Sequence, residues 1–148
     1  KVLRSYGASY RVRNNWDGKL TTVYRRDFSK YRLLDINNDG IKELMLHDYP
    51  WAVFFTYYKG KVTPLIYGST RGAYLKGKYL TIVTGTSSEN TCRTYVLQNG
   101  KLKQIINYFH TTSSAYRVPI YKVNGKKCSK AAFYKVYNKY KNNAKLLF

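Results

Sequence analysis

Acidic residues are scarce in this chain: seven Asp and Glu stand against 27 Lys and Arg in 148 residues, a formal net charge of +20 at pH 7. A surface so poor in carboxylates repels itself and invites anionic partners. Long apolar runs are also missing, and none approaches the ~18 residues a membrane-spanning helix needs, so a soluble or peripheral protein is expected. Cysteine is limited to Cys92 and Cys128, and histidine to His47 and His110. Gly-x-Ser-x-Gly, His-Glu-x-x-His, Walker and Rossmann patterns do not occur, so no motif calls for an enzyme. Lys1-Val2-Leu3-Arg4 carries neither an initiator Met nor a signal-peptide pattern, and the expectation is a mature or excised domain whose targeting segment is absent.

Core-forming residues are plentiful. With 44% hydrophobic residues, 17 Tyr, six Phe and two Trp, the chain is no disordered polybasic tail. Its length suits a single domain over 1–148. The charge is uneven: all seven acids lie within residues 1–89, and the last 59 residues carry 12 Lys or Arg and no acid.

The pattern predicts an α+β fold, an antiparallel β-meander with an N-terminal and a C-terminal helix packed on it. Val2, Leu3, Tyr6 and Tyr10 have helical spacing over 1–13, although Gly7 weakens it. Strands are expected at 20–24, from 31–34 into a loop, and from 41–47 out of it. Hairpins follow at 51–58 with 62–67, 73–75 with 79–84, and 91–97 with 101–109, and a further strand at 116–123. Lys59-Gly60, Gly77-Lys78, Asn99-Gly100 and Asn124-Gly125 are their turns, and Pro64 marks an edge strand. At the C-terminal end the period changes. Ser129 is an N-cap, and Phe133, Val136, Tyr137 and Tyr140 recur on one face of a helix over about 129–141.

Three of the seven acids fall in the nine residues Asp35-Ile36-Asn37-Asn38-Asp39-Gly40-Ile41-Lys42-Glu43. Oxygen side chains at positions 1, 3 and 5, Gly at 6, a backbone carbonyl from position 7 and a carboxylate at 9 form the arrangement a calcium loop uses. The expected ligands are Asp35, Asn37, Asp39, Ile41 through its carbonyl, and Glu43. Leu46 occupies the twelfth position, where an EF-hand has its bidentate Glu, and the run that follows alternates like a strand. A hard oxygen set of this kind suits structural Ca2+ rather than Zn2+. The alternative is an Asp/Asn-rich turn that holds no metal.

The loop resembles those of integrin-type propeller blades. It is also similar to the Asp-x-Asn-x-Asp-Gly-x-x-Glu segments of secreted and lipid-anchored surface proteins of clostridia-like Gram-positive bacteria. In that group a short helix precedes the loop and a Tyr-rich meander follows. A Val-Asn-Gly-Lys segment, here Val123-Asn124-Gly125-Lys126, then leads into a final helix. The resemblance implies a secreted or cell-surface domain and no particular enzymatic activity.

Cys92 and Cys128 could form a bridge stapling the helix to the sheet or remain two free thiols. His47 and His110 could serve acid–base chemistry, though a lone His at a strand end is ordinarily structural. Basic residues interleave with aromatics in the C-terminal half. Arg117, Lys122, Lys126, Lys127, Lys130, Lys135, Lys139 and Lys141 could track a polyanion. The leading expectation is a non-catalytic, extracellular, calcium-binding domain that associates with an anionic cell-wall polymer, sulfated glycan or acidic lipid surface. The alternative is a secreted, basic, nuclease-like toxin domain acting on RNA, which would need the two histidines together. A nucleic-acid-binding module without catalysis is the third reading.

Overall fold

The computed structural model describes residues 7–15, 17–111 and 118–148. It is mostly β, with 59% strand and 10% helix, and the α+β expectation with a helix at each end is overturned. Of the helix expected over 1–13, residues 1–6 lie outside the described residues, while Ser9–Arg13 is strand β1. Its physical reason is period. Tyr10 and Val12 turn inward while Ser9, Arg11 and Arg13 turn outward, an alternation of two that overrides the looser 3.6 spacing.

The chain forms two compact units, the first comprising Lys1–Ser69 with Leu97–Leu102 and the second Thr70–Val96 with Lys103–Phe148. In the first, β1 pairs antiparallel with β2 (Leu20–Tyr24), and a 3-10 turn at Arg25–Asp27 leads onward. A four-stranded antiparallel sheet follows, in the order β3 (Lys30–Leu34), β4 (Glu43–Asp48), β5 (Trp51–Tyr58), β6 (Lys61–Ser69). Val12, Val23, Phe28, Leu44, Leu46, Val53 and Phe55 form its core. Met45 and Phe54, one position off on β4 and β5, are buried as well, so these central strands are covered on both faces. Pro64 sits on the edge strand β6 as expected. The register shifts between Phe54 and Phe55, which places Phe55 opposite Pro64 at a bulge.

In the second unit the strands run β12 (Lys126–Lys127), β11 (Tyr121–Val123), β10 (Lys101–Thr111), β9 (Glu89–Gln98), β8 (Tyr79–Gly85), β7 (Gly72–Lys76), β13 (Lys145–Leu146). The tip of the β9–β10 hairpin, Leu97–Leu102, is the part counted with the first unit. The turns are those the sequence signals. Lys59-Gly60, Asn99-Gly100 and Asn124-Gly125 have positive φ at both central residues, whereas at Gly77-Lys78 only the glycine does. These are the signatures of the two hairpin turn classes whose twist matches the strands. Of the strand expected over 116–123, the described part, residues 118–123, is strand only from Tyr121. Residues 112–117 lie outside the described residues, and pairing begins only at Tyr121, beyond Pro119, which has no N–H to give a ladder.

Helix α1 (Lys130–Tyr140) is the one α-helix among the described residues. The Ala132 N–H donates to the Ser129 hydroxyl at 3.2 Å, capping its start. Lys76 on β7 donates to the carbonyls of Asn138 (2.7 Å) and Asn142 (2.9 Å), placing a cation at the negative end of the helix. Phe133 is buried with Val83, Cys92 and Tyr108, and Val136 and Tyr137 pack alongside. Tyr140 meets Tyr79 edge-on at 5.0 Å. The apolar face read from the spacing is therefore the one that packs. No helix among the described residues is long and apolar enough to cross a membrane.

Candidate cation loop and basic face

The loop between β3 and β4 is curled by Asn38 (φ 60°) and Gly40 (φ 84°), conformations that favour Asn and Gly. Asp35 holds the curl: its carboxylate accepts from the amides of Asp39 (3.1 Å) and Gly40 (3.0 Å). Asp39 accepts from the Ile41 amide (2.8 Å) and from the Asn37 side-chain amide (2.7 Å). The Ile41 bond also explains why β4 starts at Glu43 rather than at Ile41.

Glu43 is the unusual member, only 1% exposed. One carboxylate oxygen accepts from the Ile36 amide at 2.9 Å and the other from the Thr56 hydroxyl at 3.0 Å. Burial pushes its carboxyl above the usual carboxylate range, against the pull of those two bonds and with a smaller push from the Asp39 charge. One polar atom of the loop is an orphan: the Asn37 Oδ1 is buried without a hydrogen-bond partner among the described residues.

These observations bear on a metal in two directions. Among the described residues, no three His, Cys, Asp or Glu side chains form a group that could hold a metal ion. Asp35, Asp39 and Glu43 are therefore not gathered as a three-carboxylate cluster, and each is engaged with loop donors. The donors that fit a hard cation are instead mixed: the unpartnered Asn37 carbonyl and the second lone pairs of carboxylate oxygens that each accept one bond.

The acids share a further property. Asp17 accepts from the Lys19 amide, Asp27 from Tyr24 and Asp48 from the amide and hydroxyl of Ser29, as Asp35, Asp39 and Glu43 accept within the loop. Six of the seven acids thus hold turns and strand ends by accepting from uncharged donors. Even with every acid paired, at least twenty of the 27 bases would have no acidic side chain of their own. The second unit carries fourteen Lys and Arg against one acid, Glu89, a formal +13.

Aromatic rings take the place of carboxylates. Among the described residues there are at least seven cation–ring contacts, where roughly two would be usual for this length. Lys122 lies 5.5 Å from the Phe109 ring, Lys130 lies 6.0 Å from Tyr134, and Lys139 lies 5.0 Å from Tyr140. A hydrogen bond and the charge of Tyr140 raise the Lys139 ammonium above its ordinary range. Of the residues expected to face a polyanion, Lys126, Lys127, Lys130, Lys135 and Lys139 are exposed on β12 and α1. Lys122 and Lys141 are half-buried, and Arg117 lies outside the described residues.

Cys92 and Cys128 are both free thiols. Cys92 is buried, and burial pushes it up to about 11; Cys128 packs against the same cluster. His47 belongs to the first unit and His110 to the second. Burial lowers both, with Arg32 and Lys30 adding to the effect at His47 and Lys141 at His110. What the sequence does not indicate is the setting of His110. It shares a cavity with Arg71, Asn90 and Lys141, residues contributed by segments up to 70 positions apart. No family model, curated protein or solved structure matches the chain.

Proposed function

We propose that the chain is a non-catalytic, extracellular binding domain for anionic polymers, in which loop 35–43 is a calcium-stabilised strut. The observation that carries the reading is the charge balance of the second unit, fourteen bases to one acid, with exposed lysines along β12 and α1. A lysine over a tyrosine ring keeps its charge and its outward donors, so these residues can meet phosphate or sulfate groups without first breaking an ion pair. Tyrosines beside them offer flat surfaces to sugar rings. The loop adds a part for calcium: Asp35, Asn37, Asp39, the Ile41 carbonyl and Glu43, whose three carboxylates are not gathered without the ion, would have to draw together to hold it, and its charge would offset that of the buried Glu43. Millimolar extracellular calcium suits so weak a site.

The test is retention on immobilised heparin with rising salt, with and without calcium. Strong retention lost at moderate salt is expected; retention insensitive to salt would count against the electrostatic reading. RNA cleavage by the wild type, lost in His110→Ala, would replace this reading with that of a secreted nuclease-like domain.

A further inference from the structure

The second unit holds a cavity of about 360 Å³ whose walls include Arg71, Tyr74, Asn90, His110, Tyr137 and Lys141. That volume is in the range of small-molecule sites, and a bare inorganic anion would leave most of it unfilled. Its charge is one-sided: two permanent cations line it and, among the described residues, no Asp or Glu does. Among the described residues, Lys141 is held in place by rings and not by an acid. Its ammonium lies 4.2 Å from the Tyr74 ring and 4.9 Å from that of Tyr137, and it donates to the Tyr137 hydroxyl at 3.3 Å. Arg71 donates to the Thr86 carbonyl, which fixes the guanidinium and leaves other N–H donors. The Nδ1 of His110 is buried with no hydrogen-bond partner, a polar atom that a ligand could satisfy.

We infer that this cavity binds a sugar unit carrying a phosphate or sulfate ester. Arg71 and Lys141 take the oxyanion, because a planar fork and an ammonium, neither ion-paired with an acid among the described residues, both line the cavity. The tyrosine rings and the Asn90 amide give stacking surfaces and donors for a hydroxylated ring, which suits a sugar better than an apolar aromatic. The inference goes beyond the polymer reading, since the site would take a free sugar ester as well as one pendant on a polymer.

Calorimetry and His110 side-chain NMR with glucose 6-phosphate or glucose 6-sulfate test it, with glucose and inorganic phosphate as controls. Saturable binding that shifts His110, at least tenfold tighter than either control, is expected. Lys141→Met should weaken it at least tenfold and Lys141→Arg should retain it, which separates lost charge from lost folding. Lys78→Met, an exposed position in the turn between β7 and β8 that lines neither the cavity nor the basic face, should change it less than twofold. No saturable shift overturns the site, as does an equal loss in Lys78→Met and Lys141→Met; phosphate binding as tightly as glucose 6-phosphate overturns the sugar assignment. Heparin retention without a response to either glucose ester sinks the cavity alone, whereas ester binding without heparin retention supports the cavity and refutes the polymer reading.

Discussion

Replacing Glu43 by Gln separates a structural clamp from a cation ligand. In the absence of metal, the wild type keeps a carboxylate at 1% exposure whose two partners are the Ile36 amide and the Thr56 hydroxyl. Gln can satisfy both: its carbonyl accepts from Ile36, and its amide donates to the Thr56 hydroxyl, which rotates to accept. The substitution also removes a desolvated charge, so the metal-free variant should lie within about 1 kcal/mol of the wild type. Calcium should part the two. For a dissociation constant of about 0.1 to 1 mM, 10 mM calcium stabilises the wild type by about 1.4 to 2.7 kcal/mol. For a chain of this length that is a rise of about 4 to 10 °C in melting temperature, against little change in Glu43→Gln. Calorimetric melting with EDTA and with calcium measures both. Equal responses to calcium, or a wild type that does not respond, would refute the cation role; a loss of several kcal/mol in EDTA would show that the charge itself is the clamp.

Other outcomes follow from packing and titration. Gly100→Ala should destabilise the β9–β10 turn by at least about 1 kcal/mol in chemical denaturation, since Gly100 has φ 70° and an added Cβ would sit 2.5 Å from the Tyr58 ring. Tyr108→Phe should be neutral or stabilising by up to about 1 kcal/mol, because the Tyr108 hydroxyl is buried beside Thr81 and Thr94, which bond each other at 2.8 Å and leave it unpartnered. His47 and His110 are both held below the ordinary value of 6.5, so their contribution is complete above that pH. As pH falls through it the unfolded chain takes up protons first and stability declines, which denaturation midpoints between pH 7.5 and 5 would register.

Much of the strand layout was legible because its turns depend on local chemistry: Asn99-Gly100 and Asn124-Gly125 adopt the positive φ their residues favour, whatever surrounds them. Helix α1 was legible from its cap and its 3.6 spacing. The N-terminal segment was misread because Val2, Leu3, Tyr6 and Tyr10 suggest one period while Tyr10 and Val12 obey another, and pairing with β2 decides the matter. The loop's motif was visible, but the burial of Glu43 under Thr56, thirteen residues away, was not. The cavity left no local signal at all. Its lining comes from Arg71 before β7, from β7, β8, β9 and β10, and from α1 with the Lys141 that follows it, and only the sheet and helix packing bring those segments together.

The central claim, that unpaired positive charge is the binding device, is tested most directly by measuring affinity for heparin at several salt concentrations. A linear fall of log affinity with log salt is expected, losing at least about a hundredfold between 50 and 200 mM. An affinity that stays flat over that range would contradict it.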